Sequence, residues 1–148
     1  SDKNGATGVG LVEGYDLDQA TDSEFGNIST RGFVDTGDNV MIGGFILGAG
    51  DSSTVVVRAL GPSLTPLGVT GALADPTLEL HDSEGNIVEF NDNWQDAPTS
   101  TGIPPNLQPT DPLDSAIFIT LPAGAYTAIV AGKNGGTGVG LVEVYNLP

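Results

Sequence analysis

Short runs of β-branched, aromatic and aliphatic residues recur along the whole chain, and between them stand residues that make turns. The runs are Phe25–Val34, Val40–Leu47, Thr54–Leu60, Thr77–His81, Ile87–Phe90, Ala116–Leu121 and Tyr126–Val130. Within "TLELHD", Leu78 and Leu80 fall on one side of an extended chain, and Thr77, Glu79 and His81 on the other. The segments "DTGDN", "GAGDSS", "DSEGN", "PAGA" and "GKNGG" carry the glycine, aspartate and asparagine that tight turns require. No stretch shows the 3.6-residue period of an amphipathic helix. The pattern predicts an all-β domain, an antiparallel β-sandwich or jelly roll with Greek-key-type connections, because each half-apolar strand must bury one face against another sheet. "AIFITLPAGAYTAIV" reads as a hairpin turning across Pro122–Gly124. Ala97–Pro112, with five prolines, reads as a long surface loop.

The two ends of the chain repeat each other. Lys3–Asp18 and Lys133–Pro148 agree at twelve of sixteen positions at a constant offset of 130. Each copy is a strand pattern. Val9, Leu11, Glu13, Tyr15 and Leu17 share one face, as do Val139, Leu141, Glu143, Tyr145 and Leu147. Near-identical strands suit the same slot, and one sandwich offers one such slot. The expectation is therefore an exchanged or shared terminal strand: residues 1–18 form a donor or linking strand, and residues 19–148 form the sandwich that ends in its own copy, 137–147. The neighbour would be a preceding module of a tandem polypeptide or a separate subunit joined by β-augmentation. Head-to-tail contacts that do not close into a ring make filaments. The competing arrangement pairs the two copies with each other inside one domain.

Charge narrows the partners. Nineteen acids against four bases give 148 residues a net charge of −15, which repels nucleic acid and anionic membranes. No apolar run approaches the roughly 20 residues needed to cross a bilayer as a helix, so no membrane insertion is expected. The absence of cysteine excludes disulfides and thiolate chemistry and suits either a cytosolic protein or an exported bacterial one. A start at Ser1 reads as a processed chain or a piece of a longer one.

Catalytic signals are thin, and no catalytic residue or cofactor is assigned. His81 is the single histidine and lies on the polar side of its strand, where a solvated ring is expected. The glycine-rich "GATGVG" and "GAGDSST" lack the lysine of a phosphate loop, and Ser63 lacks a nucleophile elbow. Calcium is the one metal with a candidate site: in "NDNWQD", Asn91, Asp92, Asn93 and Asp96 offer oxygens from one loop, although the same residues also build turns. Trp94 suits core packing better than a sugar-stacking role. Lys133 beside Asn134 suggests an isopeptide cross-link, but a turn suits that buried chemistry badly. Arg31 and Arg58 interrupt apolar strands and need carboxylate partners if buried. Glu143 in the same sandwich, or Glu13 from a neighbour, is the expected partner, with Arg31 the preferred arginine.

Four runs carry a family resemblance: "NISTRGFVDTGDNVMIGGFILG", "VVVRALGPSL", "GVTGALADPTLELHDSEGNIVEFNDNW" and "LPAGAYTAIVAGKNGGTGVGLVEVYNL". Together they resemble a module found in tandem in large secreted and surface proteins of environmental bacteria. The second half, with L-x-L-x-D-x-x-G-x-x-x-x-x-N-D from Leu78 and L-x-A-G-x-Y-T from Leu121, is similar to the β-sandwich domains at the C-termini of secreted bacterial peptidases. The resemblance implies an extracellular or cell-surface setting and an accessory or structural role, and it names no reaction. Two functions follow as expectations. One is a non-enzymatic subunit of a filament or tandem stalk whose partners are copies of itself. The other is a carbohydrate- or calcium-dependent adhesive module of a larger secreted protein.

Overall fold

Several of the turns fall where the pattern places them, and the described residues form seven strands. The computed structural model describes residues 10–16 and 26–147. The strands are β1 (Gly10–Asp16), β2 (Gly26–Val34), β3 (Met41–Leu60), β4 (Pro76–His81), β5 (Ile87–Asn91), β6 (Ser115–Gly132) and β7 (Gly138–Leu147). Short 3-10 turns fill several connections, including Pro62–Leu67, Pro98–Gly102 and Pro105–Leu107.

Strands β3 and β6 organise the fold. They run antiparallel along their whole length, from the Met41–Val130 pair to the Ala59–Ser115 pair. The hairpin expected within β6 is not formed: Ala116–Leu121 and Tyr126–Val130 are two halves of one strand, and both pair with β3. The "GAGDSS" and "PAG" segments lie opposite each other instead, where the register shifts between Leu47 and Ser52. Extra residues on one strand bend both chains, and Pro122, which has no N–H to give, is tolerated at such a bulge. Below the bend, β6 pairs with β4, and β4 with the edge strand β5. Above it, β3 pairs with β7, and β7 with the edge strand β2. The hydrogen-bonded order is β2-β7-β3-β6-β4-β5. The two halves face each other as an all-β sandwich.

The core lies between them. Phe45, Leu47, Leu78, Leu80 and Val130 from one half pack with Val55, Val57, Val142 and Val144 from the other. Tyr126 stacks on Phe45 with ring centroids 5.6 Å apart. In β7 the inward face is Gly138, Gly140, Val142, Val144 and Asn146. The larger Val139, Leu141, Glu143, Tyr145 and Leu147 therefore point away from the sandwich interior, half-buried on the outer face. Small residues sit inside because other chain passes close above them. A Cβ on Gly138, whose φ is +153°, would come within 2.7 Å of the Leu73 nitrogen, and the 71–73 segment is tied to β7 by Leu73 N–H donating to Val139 O at 2.8 Å.

Ala97–Pro112 is not a free surface loop. Ile103 and Leu107 from it join Trp94, Val56 and Ala116 in a second apolar cluster on the outer face of the β3–β7 half, with Phe118, Tyr145 and Leu147 packed alongside. Gly102 rests on the Phe118 ring, where a Cβ would meet Cε2 at 2.7 Å. The prolines stiffen a cover. Asn91 secures its base: its Oδ1 accepts from Ala116 N–H at 3.0 Å and its Nδ2 donates to Asn93 O at 3.2 Å.

Candidate functional site

The terminal strands occupy two different berths. β7 lies antiparallel between β2 and β3, opposite Thr54–Leu60. β1 runs parallel to the first half of β3, with Gly10 opposite Met41 and Asp16 opposite Ile46, and its register slips between Val12 and Tyr15. This corrects the premise of a single slot: the described part of the first copy has a place on an edge of its own sandwich. The competing arrangement is not formed either, because β1 pairs with β3 and not with β7. Val9 and Leu17 lie outside the described residues, as do the side chains of Leu11, Glu13 and Tyr15.

The outer face of β7 holds an ion pair. Arg58 and Glu143 are directly opposed across β3 and β7. Arg58 Nε donates to Glu143 Oε1 at 2.9 Å, Nη2 reaches the same oxygen, and Nη1 donates to Leu107 O at 3.1 Å. The guanidinium also lies over the Tyr145 ring, 5.2 Å from its centroid. Side chains of the pair are only 13% and 12% exposed, so charge, carbonyl and aromatic face together replace lost water. The partner of Glu143 is Arg58 rather than the preferred Arg31. On β2 it is Ser29 that faces Glu143, while Arg31 stands opposite Leu141 and is exposed. Direct cross-strand neighbours meet, and diagonal ones are farther apart.

A second polar cluster gathers at the start of the covering loop. Lys133 Nζ lies 2.6 Å from Asp92 Oδ2. Asp75 joins from the segment before β4: its carbonyl accepts from Lys133 N–H at 2.8 Å. Burial, and next the Asp92 charge, push the Asp75 carboxyl above the usual range, against Lys133. Asp75 Oδ1 and Asp92 Oδ1 are both shut off from solvent with no hydrogen-bond partner. The Ser115 hydroxyl donates to Pro76 O at 2.7 Å and also touches Asp92 O. Of the calcium candidates, Asp92 is thus engaged with Lys133, and Asn93 donates to Asp96 Oδ2 at 3.4 Å. Among the described residues no three His, Asp or Glu side chains converge as a metal site.

Other polar groups serve the scaffold. Asp114, fully buried, accepts from Gly61 N–H at 2.8 Å through Oδ1. Burial raises its carboxyl, opposed by the hydrogen bond from Gly61. Nothing in "DPLDSA" distinguishes Asp114 from the aspartates of ordinary turns. His81 is less solvated than its polar position suggests: Nε2 lies 2.9 Å from Glu79 Oε1 and Nδ1 3.1 Å from Gly85 O. Trp94 is buried in the outer cluster. A cleft of about 420 Å³ opens at the start of the covering loop, flanked by Glu89, the half-exposed Phe90, Asn93, Asp96 and Thr99.

No protein-family model matches the chain, and no curated protein sequence does. Solved structures do. The pre-peptidase C-terminal domain of collagenase from Bacillus anthracis is 13% identical, with 89% of this chain and 94% of that one covered at a TM-score of 0.52. Aeromonas hydrophila PliG, a periplasmic lysozyme inhibitor of g-type lysozyme, is 9% identical over 95% of this chain and 99% of that one, with a TM-score of 0.50. CorA, a surface-associated copper-binding protein of Methylomicrobium album BG8, is 13% identical over 95% and 100% at 0.46. At these identities the first two likenesses are of fold: the chain is an all-β sandwich similar in architecture to the collagenase domain.

Proposed function

We propose that this chain is a non-enzymatic structural subunit of an extracellular filament or tandem stalk, joined head to tail by exchange of its N-terminal strand. The observation that carries the reading is the contrast between two near-identical strands. β7 is held on both sides by antiparallel ladders, whereas β1 adds in parallel, with a register slip, to the edge Met41–Ile46. Parallel pairing is slightly weaker per residue, and an edge strand that is one of two copies is the element most readily exchanged. A neighbour's residues 1–18 would fill the same edge, so each copy both lends and receives a strand. Exchange of an identical element is a low-cost route to assembly, and it propagates when the contact does not close. The strongly acidic surface keeps such modules apart except where strands pair.

The test is electron microscopy and size-exclusion chromatography of the full chain and of a variant lacking residues 1–18. Polymers from the full chain and a folded monomer from the truncated one are expected. A full chain that stays monomeric at high concentration, or polymers that persist after truncation, would refute strand exchange.

The half-exposed Phe90 beside the cleft favours one second reading, a carbohydrate-binding adhesive module, since an aromatic face flanked by carboxylate and amide oxygens suits a sugar ring. Glycan-array binding that is lost in Phe90→Ala, by a chain that does not polymerise, would support it instead.

A further inference from the structure

β7 fills a place with narrow requirements. Position 138 must be glycine, because a Cβ there would stand 2.7 Å from Leu73 N, and position 140 is confined by Val34 Cγ2 at 3.2 Å. Position 142 sends a side chain into the core, 143 supplies the carboxylate for Arg58, and 145 lays a ring against the guanidinium. Residues 7–17 meet each requirement at the offset of 130, with Gly8, Gly10, Val12, Glu13 and Tyr15. They depart at two of eleven positions: Gly14 stands for Val144 and Asp16 for Asn146. Val144 and Asn146 are 5% and 2% exposed.

The connection fits as well. β2 runs antiparallel to β7, with Gly26 opposite Asn146 and Val34 opposite Gly138. A strand of residues 7–17 in that place sets Asp16 opposite Gly26, and the nine residues 17–25 then close a hairpin with β2. The pairing of β2 with β7 joins opposite ends of the sequence. The hairpin joins near neighbours, and its shorter loop costs less entropy to close. We propose that the place of β7 is a strand site with two occupants, which residues 7–17 of the same chain enter as a hairpin with β2 whenever 137–147 is out of it.

In moving, residues 7–17 exchange a parallel ladder with a register slip on Met41–Ile46 for antiparallel ladders on β2 and on Thr54–Leu60. Antiparallel pairing is the firmer per residue. The two departures set the order of preference. Glycine in place of Val144 empties a core position, and aspartate in place of Asn146 buries a charge. Residues 137–147 therefore hold the site when both strands are present, as they do here. The local hairpin holds it when the C-terminal strand has not yet arrived or has been withdrawn, and 137–147 is then the strand available to a neighbouring copy. Lending of that end rests on the strand-exchange reading. The two-occupant site itself does not, and it holds for a chain that stays monomeric.

Urea unfolding of full-length variants in dilute solution is the test. Gly138→Val bars 137–147 from its register, and Gly8→Val bars 7–17 from the same place. The folded-to-unfolded ratio of the double variant should fall at least about tenfold below the value that the two single losses predict together, because each strand backs up the other. Losses that simply add would overturn the proposal, as would a Gly138→Val chain that is already unfolded. Glu13→Gln removes the carboxylate that 7–17 brings to Arg58, so it should cost more in the Gly138→Val chain than in the wild type. An equal cost in both would also overturn the proposal. A Gly138→Val stability that rises with protein concentration would put the second occupant in another copy and overturn the same-chain hairpin. Failure of the wild-type chain to polymerise would count against the filament and leave these ratios unchanged.

Discussion

Arg58 on β3 and Glu143 on β7 face each other directly across the ladder, with Nε 2.9 Å from Oε1. The pair lies beneath a loop that contributes the Leu107 carbonyl to the same guanidinium. Breaking a buried pair by removing one partner leaves an uncompensated charge. Glu143→Gln and Arg58→Ala should each therefore lower stability by about 3–5 kcal/mol, and an apolar Arg58→Met, Glu143→Leu double variant by much less. Urea unfolding of the four proteins checks this. Equal losses in the single and double variants would contradict it.

The covering loop should matter as core. Leu107→Ala removes a buried side chain from the outer cluster and is expected to cost about 2–5 kcal/mol. Gly102→Ala should cost about 1–3 kcal/mol, because its Cβ would stand 2.7 Å from the Phe118 ring. Thermal melts and Trp94 fluorescence provide the readout. A loop that merely covers surface would leave both unchanged.

The pH dependence has a definite sign. Burial pushes the carboxyl groups of Asp75 and Asp114 up in the folded state. The folded chain then binds protons more readily than the unfolded chain, and stability grows as pH falls through those raised values toward about 4, the ordinary carboxylate value. His81 is raised mainly by its hydrogen bond to Glu79. Its contribution is complete below the unfolded value of about 6.5 and is lost as pH rises through the raised folded value. Asp82 opposes them: backbone hydrogen bonds, first from Asn86, depress it, so its contribution is lost as pH falls through that lowered value. The melting temperature should therefore be higher near about pH 5.5 than near about pH 8, at salt high enough to screen the surface charge. Asp114→Asn should flatten part of the slope.

Strand exchange should be open to competition. A synthetic peptide of residues 4–18, mixed with the full chain, should cap growing ends and shorten polymers in a dose-dependent way. A peptide with Val9, Leu11 and Tyr15 replaced by serine should not. Equal effects from both peptides would point to a contact that is not strand-specific.

The strand positions and the acidic, turn-rich character were legible because they are local. Period-two alternation and glycine-aspartate turns depend on neighbouring residues, and the echo of Lys3–Asp18 in Lys133–Pro148 is visible without any fold. Continuity of β6 through Pro122–Gly124 was not legible. The same "PAG" segment serves as a hairpin turn or as one side of a bend, and β3 lying opposite it makes it a bend. Asp75 was missed altogether, since a lone aspartate before a proline looks like any other turn residue.

Alternation along β7 determined that Glu143 shares a side with Leu141 and Tyr145. Tertiary structure alone decided that this side faces outward, that Arg58 rather than Arg31 meets it, and that Asp75, Asp92 and Lys133 converge. The reason is physical: a residue's side of a strand is set by backbone geometry within a few bonds. Whether that side is interior, and which charge lies opposite, depends on segments brought together only when the sheet closes over its core.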